Sequence, residues 1–167
     1  MASMAGRGWA LALAVGIGAA VAGGAFAHDD KMPANASPAT KTAYARHDNF
    51  RKLGGAFKAL NDELKKGEAD KGVVAANAKT ISTLASQLPT WFPRGSGVEA
   101  RPMSEAKADI WRDAAGFTTA ASNFQAQATK LNQLASAGDI DAVKAQVRNT
   151  GMACKSCHDK YRLEKKD

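Results

Sequence analysis

The chain has 167 residues, 45% hydrophobic and 23% charged, with 23 Lys and Arg against 16 Asp and Glu and a formal net charge of +7. That length suits one domain with a modest core. The basic excess is moderate and spread along the chain, and no stacking motif accompanies it, so nucleic acid is not an expected partner.

Residues 1–27 have the pattern of a secretory signal peptide. Arg7 supplies a positive start, Trp9 to Ala22 form an uncharged run of small and apolar residues, and Ala25-Phe26-Ala27 is an A-x-A cleavage site. The run is shorter than a bilayer span of about 20 apolar residues. The expectation is therefore cleavage after Ala27, a periplasmic protein, and no membrane association afterwards. Residues 28–38 are polar with two prolines and read as a flexible lead-in. His28 at the new N-terminus could chelate copper, but no second ligand pattern supports that role.

The domain proper is expected over 39–167. From Ala39 to about Gly67, Phe50, Leu53, Phe57, Leu60 and Leu64 recur at spacings of three, four, three and four, the stripe of a helix packed in a bundle. Extending that register back by four places Arg46 on the buried face, where a charge is costly unless paired. Gly54 and Gly55 interrupt the helix and suggest close approach of another helix or of a bound group. A second helix runs from about Val73 to Leu88 and is ended by Pro89.

Residues 89–103 hold three prolines and two glycines and read as a connection, with Trp91 and Phe92 folding back over one end of the core. Ser104 and Glu105 can start another helical stretch. Asp113 offers a second cap, leaving Ile110 and Trp111 on a short separate turn. Phe117, Ala121, Phe124, Ala128 and Leu131 mark the next helix, stopped at Gly138. Asp139 or Asp141 caps the last one, which carries Ile140, Val143, Val147, Cys154, Cys157 and Tyr161 inward. No strand alternation competes. The expected fold is all-α: an antiparallel up-down-up-down four-helix bundle with its cofactor beside the C-terminal helix.

That cofactor is read from Cys154-Lys155-Ser156-Cys157-His158. Cys-x-x-Cys-His is the attachment signature of a c-type haem: each thiol adds across a vinyl group and the imidazole binds the iron. On a helix, residues three and four apart share a face, so the three side chains converge on one macrocycle. A redox dithiol would need a strand–helix alternation that is missing. A structural zinc site would need four N or S ligands, and His28 and His47 have no zinc spacing. One haem c and its iron are expected, bonded to Cys154 and Cys157 and ligated by His158. Lys144, Arg148, Lys155, Lys160, Arg162, Lys165 and Lys166 cluster around the motif, either steering an acidic partner or forming a solvated helix end.

Three pieces of the chain resemble the cytochrome c′ family, an up-down bundle. They are Arg46-x-x-x-Phe50-x-x-Leu53-Gly54; the segment from Leu88 to Gly97 with Ile110-Trp111 and Phe117; and Cys154 to Arg162. The low-spin members, including those called cytochrome c-556, place methionine at the position matching Arg46. The high-spin members have arginine there and a hydrophobic residue one turn later. The resemblance therefore implies a five-coordinate iron with His158 as its one protein ligand, Phe50 as a distal lid, Arg46 beside a haem propionate, and Arg162 on the proximal side. It also makes a homodimer through the first two helices possible, although nothing in the sequence requires one. On its own, Phe50, one of five residues on an apolar stripe, reads as plain core and only the resemblance makes it a lid, and Trp111 either packs on the haem or fills the bundle end.

Two functions follow: binding of small uncharged gases such as NO or CO, and periplasmic electron transfer through a low-spin six-coordinate iron. Axial ligands and distal access separate them. The redox partner is unknown. Met32, Met103, Met152 and His47 are poor candidates for a sixth ligand. Peroxidase-type catalysis would want a distal acid–base group where Phe50 stands, so no enzymatic activity is expected.

Overall fold

The computed structural model describes residues 30–164, so the expected signal peptide, His28 and the last three residues lie outside it. The architecture is the expected four-helix bundle. The long helices are α1 (Pro38–Leu64), α2 (Lys71–Gln87), α4 (Ala114–Ser136) and α5 (Ile140–Tyr161); a 3-10 turn (Leu88–Trp91) and a one-turn helix α3 (Asp109–Arg112) lie in the long connection. Each long helix starts on a residue able to accept from its free N–H groups. Ser37 accepts from the Thr40 amide, Asp70 from Gly72 and Val73, Asp113 from Gly116, and Asp139 from Ala142. Of the two caps open for α5, Asp139 is the one used. Gly138, at φ +73°, adopts the left-handed conformation that ends α4.

The helices pack in the ring α1–α2–α4–α5. Leu60, Val74, Ala78, Ile81, Ala128, Leu131 and Val143 are completely buried and form its centre. Burial of Leu, Ile and Val side chains at about 1.5–3 kcal/mol each supplies the main stabilisation. The α1–α2 turn is closed by Glu63, whose carboxylate accepts from the Asp70 amide at 2.9 Å and pairs with Lys66 at 2.6 Å. Both contacts hold that carboxyl below its usual range, Lys66 contributing most. Among the described residues no helix is long and apolar enough to cross a membrane.

One local expectation changes. Ser104 and Glu105 do not begin a helix, because the Ser104 hydroxyl accepts from the Ala106 amide and from Arg46. Residues 105–107 instead run beside the end of α5, with an antiparallel bridge between Ala106 and Arg162. The described part of the lead-in makes contacts with the rest of the chain. Asp30 pairs with the buried Arg101, and the Tyr44 hydroxyl donates to the Lys31 carbonyl at 3.2 Å.

Candidate haem site

The ring of helices is not closed evenly. α1 and α5 meet far less extensively than the other neighbouring pairs, so one seam of the bundle is open. The apolar residues along that side, Phe50, Phe57, Cys154 and Cys157, are half-buried against the core instead of enclosed by it. Cβ atoms built on Gly54 and Gly55 meet nothing within 4 Å, so these glycines do not admit a neighbouring helix. A seam walled by aromatic rings and small residues, open to a flat apolar group, is what the attachment motif requires.

Register fixes which residues face one another across it. A Cβ on Gly151 would lie 3.6 Å from the Phe57 ring, so these residues stand at one level. α1 and α5 run antiparallel. Seven residues before Phe57 is Phe50, and seven after Gly151 is His158; both lie about 10 Å further along the bundle at 1.5 Å per residue. Phe50 and His158 are therefore level on opposite walls, and Gly54 is level with Cys154.

No disulfide joins Cys154 and Cys157, and both are half-buried. Burial, with Cys157 as a second cause, pushes Cys154 up to about 11, and burial raises Cys157 as well. Both thiols are thus held in their neutral form by burial along the seam. Among the described residues no group of three or more His, Cys, Asp and Glu side chains is arranged to hold a metal ion. His158 is exposed at the seam, its imidazole lowered first by desolvation and then by the nearby Arg162 guanidinium. The donor set, two half-buried thiols and one imidazole on a single helical face, fits a haem.

Arg162 follows α5. Its Nε donates to Glu105 at 2.6 Å, and a second guanidinium nitrogen pairs with the same carboxylate at 2.5 Å. With the Leu163 amide on the Glu105 carbonyl at 2.7 Å, this ties the His158 end of α5 to the long connection. Other members of the expected basic cluster are neutralised locally, Lys155 by Asp159 and Lys160 by Asp113, each at 2.6 Å. Lys155, Lys160 and Arg162 thus each stand in an ion pair.

Arg46 lies on the buried face, only 4% exposed. Two of its nitrogens make four hydrogen bonds to the connection. One donates to the Trp91 carbonyl at 3.1 Å and the Ser96 hydroxyl at 2.9 Å; the other donates to the Ser96 carbonyl at 2.6 Å and the Ser104 hydroxyl at 3.1 Å. Its guanidinium also sits 4.7 Å from the centre of the Phe92 ring. Among the described residues the buried charge is thus met by neutral acceptors and a π face. Desolvation, with repulsion from Arg101, lowers it to about 10, so it stays charged at neutral pH.

Above these bonds lies a run of rings. Phe50 meets Trp91 edge-on at 5.2 Å and Phe92 at 6.2 Å; Phe92 packs on Phe117 at 4.8 Å, and Phe117 on Tyr161 at 5.4 Å. Trp111 is half-buried at the bundle end. Its indole N–H donates to the Phe92 and Pro93 carbonyls, which makes it a clamp on the connection. Met32, Met103, Met152 and His47 are exposed, and Met152 faces the α4 side beside Asn123 and Gln127. Ser96, Ser104 and Glu105 are the site residues that sequence reasoning missed. Only the Pro-rich, Ser-containing loop hinted at the two serines.

A family model described as Cytochrome C' matches residues 41–162. The cytochrome c' of Rubrivivax gelatinosus is 42% identical over 97 residues, 58% of this chain and 74% of that one. The cytochrome c' of Pararhodospirillum photometricum is 33% identical over 128 residues, 76% of this chain and 99% of that one. A nitric oxide complex of a variant cytochrome c prime from Alcaligenes xylosoxidans superposes with a TM-score of 0.69 at 28% identity, covering 76% of this chain and 97% of that one. A family whose members carry haem c accounts for the open seam, the paired thiols and the lone imidazole, and the chain belongs to the cytochrome c′ family.

Proposed function

We propose that the protein is an exported, periplasmic monohaem cytochrome that takes up NO or CO at a five-coordinate iron. The observation that carries this reading is Phe50. It is the α1 side chain level with His158, and among the described residues every methionine and His47 is exposed away from that position. A hydrophobic ring there supplies no sixth ligand and leaves room only for a small uncharged molecule. The Alcaligenes xylosoxidans relative, whose structure holds nitric oxide, supports the ligand class.

Each residue then has a defined task. Cys154 and Cys157 hold the macrocycle on α5 by thioether bonds, and His158 is the protein ligand to the iron. When bound, the haem supplies an iron with one coordination position open to a diatomic molecule. Phe50 screens that position, and the Arg46 Nε, which makes no hydrogen bond among the described residues, is the donor left for a propionate. Arg162 fixes the proximal end through Glu105. Among the described residues the ring contacts of Phe50 are with Trp91 and Phe92, neither of them an acid–base group, which favours ligand binding over catalysis.

The ferric EPR and optical spectra, recorded with and without NO, test the proposal. A high-spin signal that changes on adding NO is expected. A purely low-spin, methionine-ligated signal would replace this reading with that of an electron carrier.

A further inference from the structure

Phe50 packs at the edge of the core, and the rings that hold it come from the connection between α2 and α4. Its ring contacts are with Trp91 and Phe92, both in that connection. The connection has little regular structure, and between Trp91 and Ser104 it is fastened to α1 by Arg46. That side chain takes the Trp91 carbonyl, both oxygens of Ser96 and the Ser104 hydroxyl, and lies against the face of Phe92. Ser96 and Ser104 are 0% and 7% exposed, so these bonds are shielded from water. Arg46 is also one helical turn before Phe50 on the same face.

The geometry points to Arg46 as a positioning residue for ligand entry: through Ser96 and Ser104 it holds Trp91 and Phe92 in the wall against which the Phe50 lid rests. This rests on the gas-binding reading above. The planar fork of arginine suits the task, because one rigid group reaches acceptors separated by many residues of loop. Lysine, with a point charge, would keep the cation and lose the simultaneous bonds. Loosening the wall gives the Phe50 ring more rotational freedom, and a small ligand then passes it more often.

The test uses the haem-loaded protein and CO association with the ferrous form after flash photolysis. In Ser96→Ala/Ser104→Ala the charge of Arg46 and the Phe50 ring are intact. Association is expected to rise about tenfold, on the scale of buried hydrogen bonds to a charged group. Adding the two changes to Phe50→Ala should give no further rise, since both act through one ring. The Ser96→Thr/Ser104→Thr pair, which keeps both hydroxyls, should restore the slow rate, and the reduction potential should not move. Should the double alanine variant fail to fold, Ser104→Ala alone removes one of the four bonds and should move the rate in the same direction by less. A high-spin wild type whose CO rate is unchanged by these substitutions, or a full additional rise on top of Phe50→Ala, overturns the inference alone. A low-spin, methionine-ligated wild type overturns the gas-binding reading and this inference with it.

Discussion

The hydroxyl of Tyr161 lies 2.9 Å from the carboxylate of Asp113, joining the last residue of the haem-bearing helix to the cap that starts α4. Asp113 serves three partners: the Gly116 amide at 3.0 Å, the Lys160 ammonium at 2.6 Å, and this phenol. Lys160 first, then Tyr161 and the amide, hold its carboxyl down at about 2, below the ordinary 3.8. A depressed carboxyl contributes its stability in full above the unfolded value and loses it as pH falls through the folded one. Asp113→Asn should therefore melt lower than wild type, by about 3 °C or more at neutral pH. The gap should persist down to about pH 4 and close towards pH 2. Thermal unfolding of both proteins between pH 2 and 7 measures it.

Gly116 reports on the same junction. Alanine in a helix interior is ordinarily favoured over glycine by about 1 kcal/mol. At Gly116, however, a Cβ would sit 2.6 Å from the Tyr161 oxygen and closer still to the Asp113 carboxylate. The side-chain ends it meets must turn aside, which breaks the hydrogen bond between Asp113 and Tyr161, and that loss outweighs the propensity. Gly116→Ala should lower the denaturation midpoint at unchanged m-value, and the same variant in a Tyr161→Phe background should recover part of the loss.

Most of this architecture is legible in the sequence because periodicity and capping act locally. The stripe from Phe50 to Leu64, the run from Phe117 to Leu131 and the caps at Asp113 and Asp139 each appear as a short-range pattern, and each is present in the structure. Cys154, Cys157 and His158 are legible for the same reason, since helical residues three and four apart share one face. The partners of Arg46 are not, because Trp91, Ser96 and Ser104 lie 45 to 58 residues away and are brought to it by the fold of an irregular loop. Periodicity marks Arg46 as buried and leaves open what satisfies it. Glu105 escapes notice similarly: its carboxylate meets Arg162 across 57 residues of chain.

The attachment chemistry makes a separate prediction. Cys154 and Cys157 lie on one face of α5, half-buried along the α1 seam, with no partner for a disulfide other than each other. Replacing both by serine should leave no haem on the chain after denaturing electrophoresis, as read by haem peroxidase staining. Either single replacement should retain a covalently bound fraction and shift the α-band, because one vinyl group remains unreacted. Stain retained by the double variant would mean that another side chain carries the attachment.

Phe50 is the residue on which the distal side turns. Its ring is half-buried and supported by Trp91 and Phe92, so truncation removes less packing than at a closed core position. Fully buried phenylalanines cost about 3–5 kcal/mol on truncation to alanine; a half-buried one should cost about 2 kcal/mol. The kinetic effect should be the larger signature. If the ring screens the iron, Phe50→Ala should speed CO and NO association on the order of tenfold or more, each factor of ten being about 1.4 kcal/mol of barrier. Phe57→Ala is the control: Phe57 lines the same seam seven residues further from the His158 level, beside Gly151. It should cost similar stability while leaving both rates near those of wild type. Equal kinetic effects from the two substitutions would show that the seam as a whole, rather than Phe50, governs access.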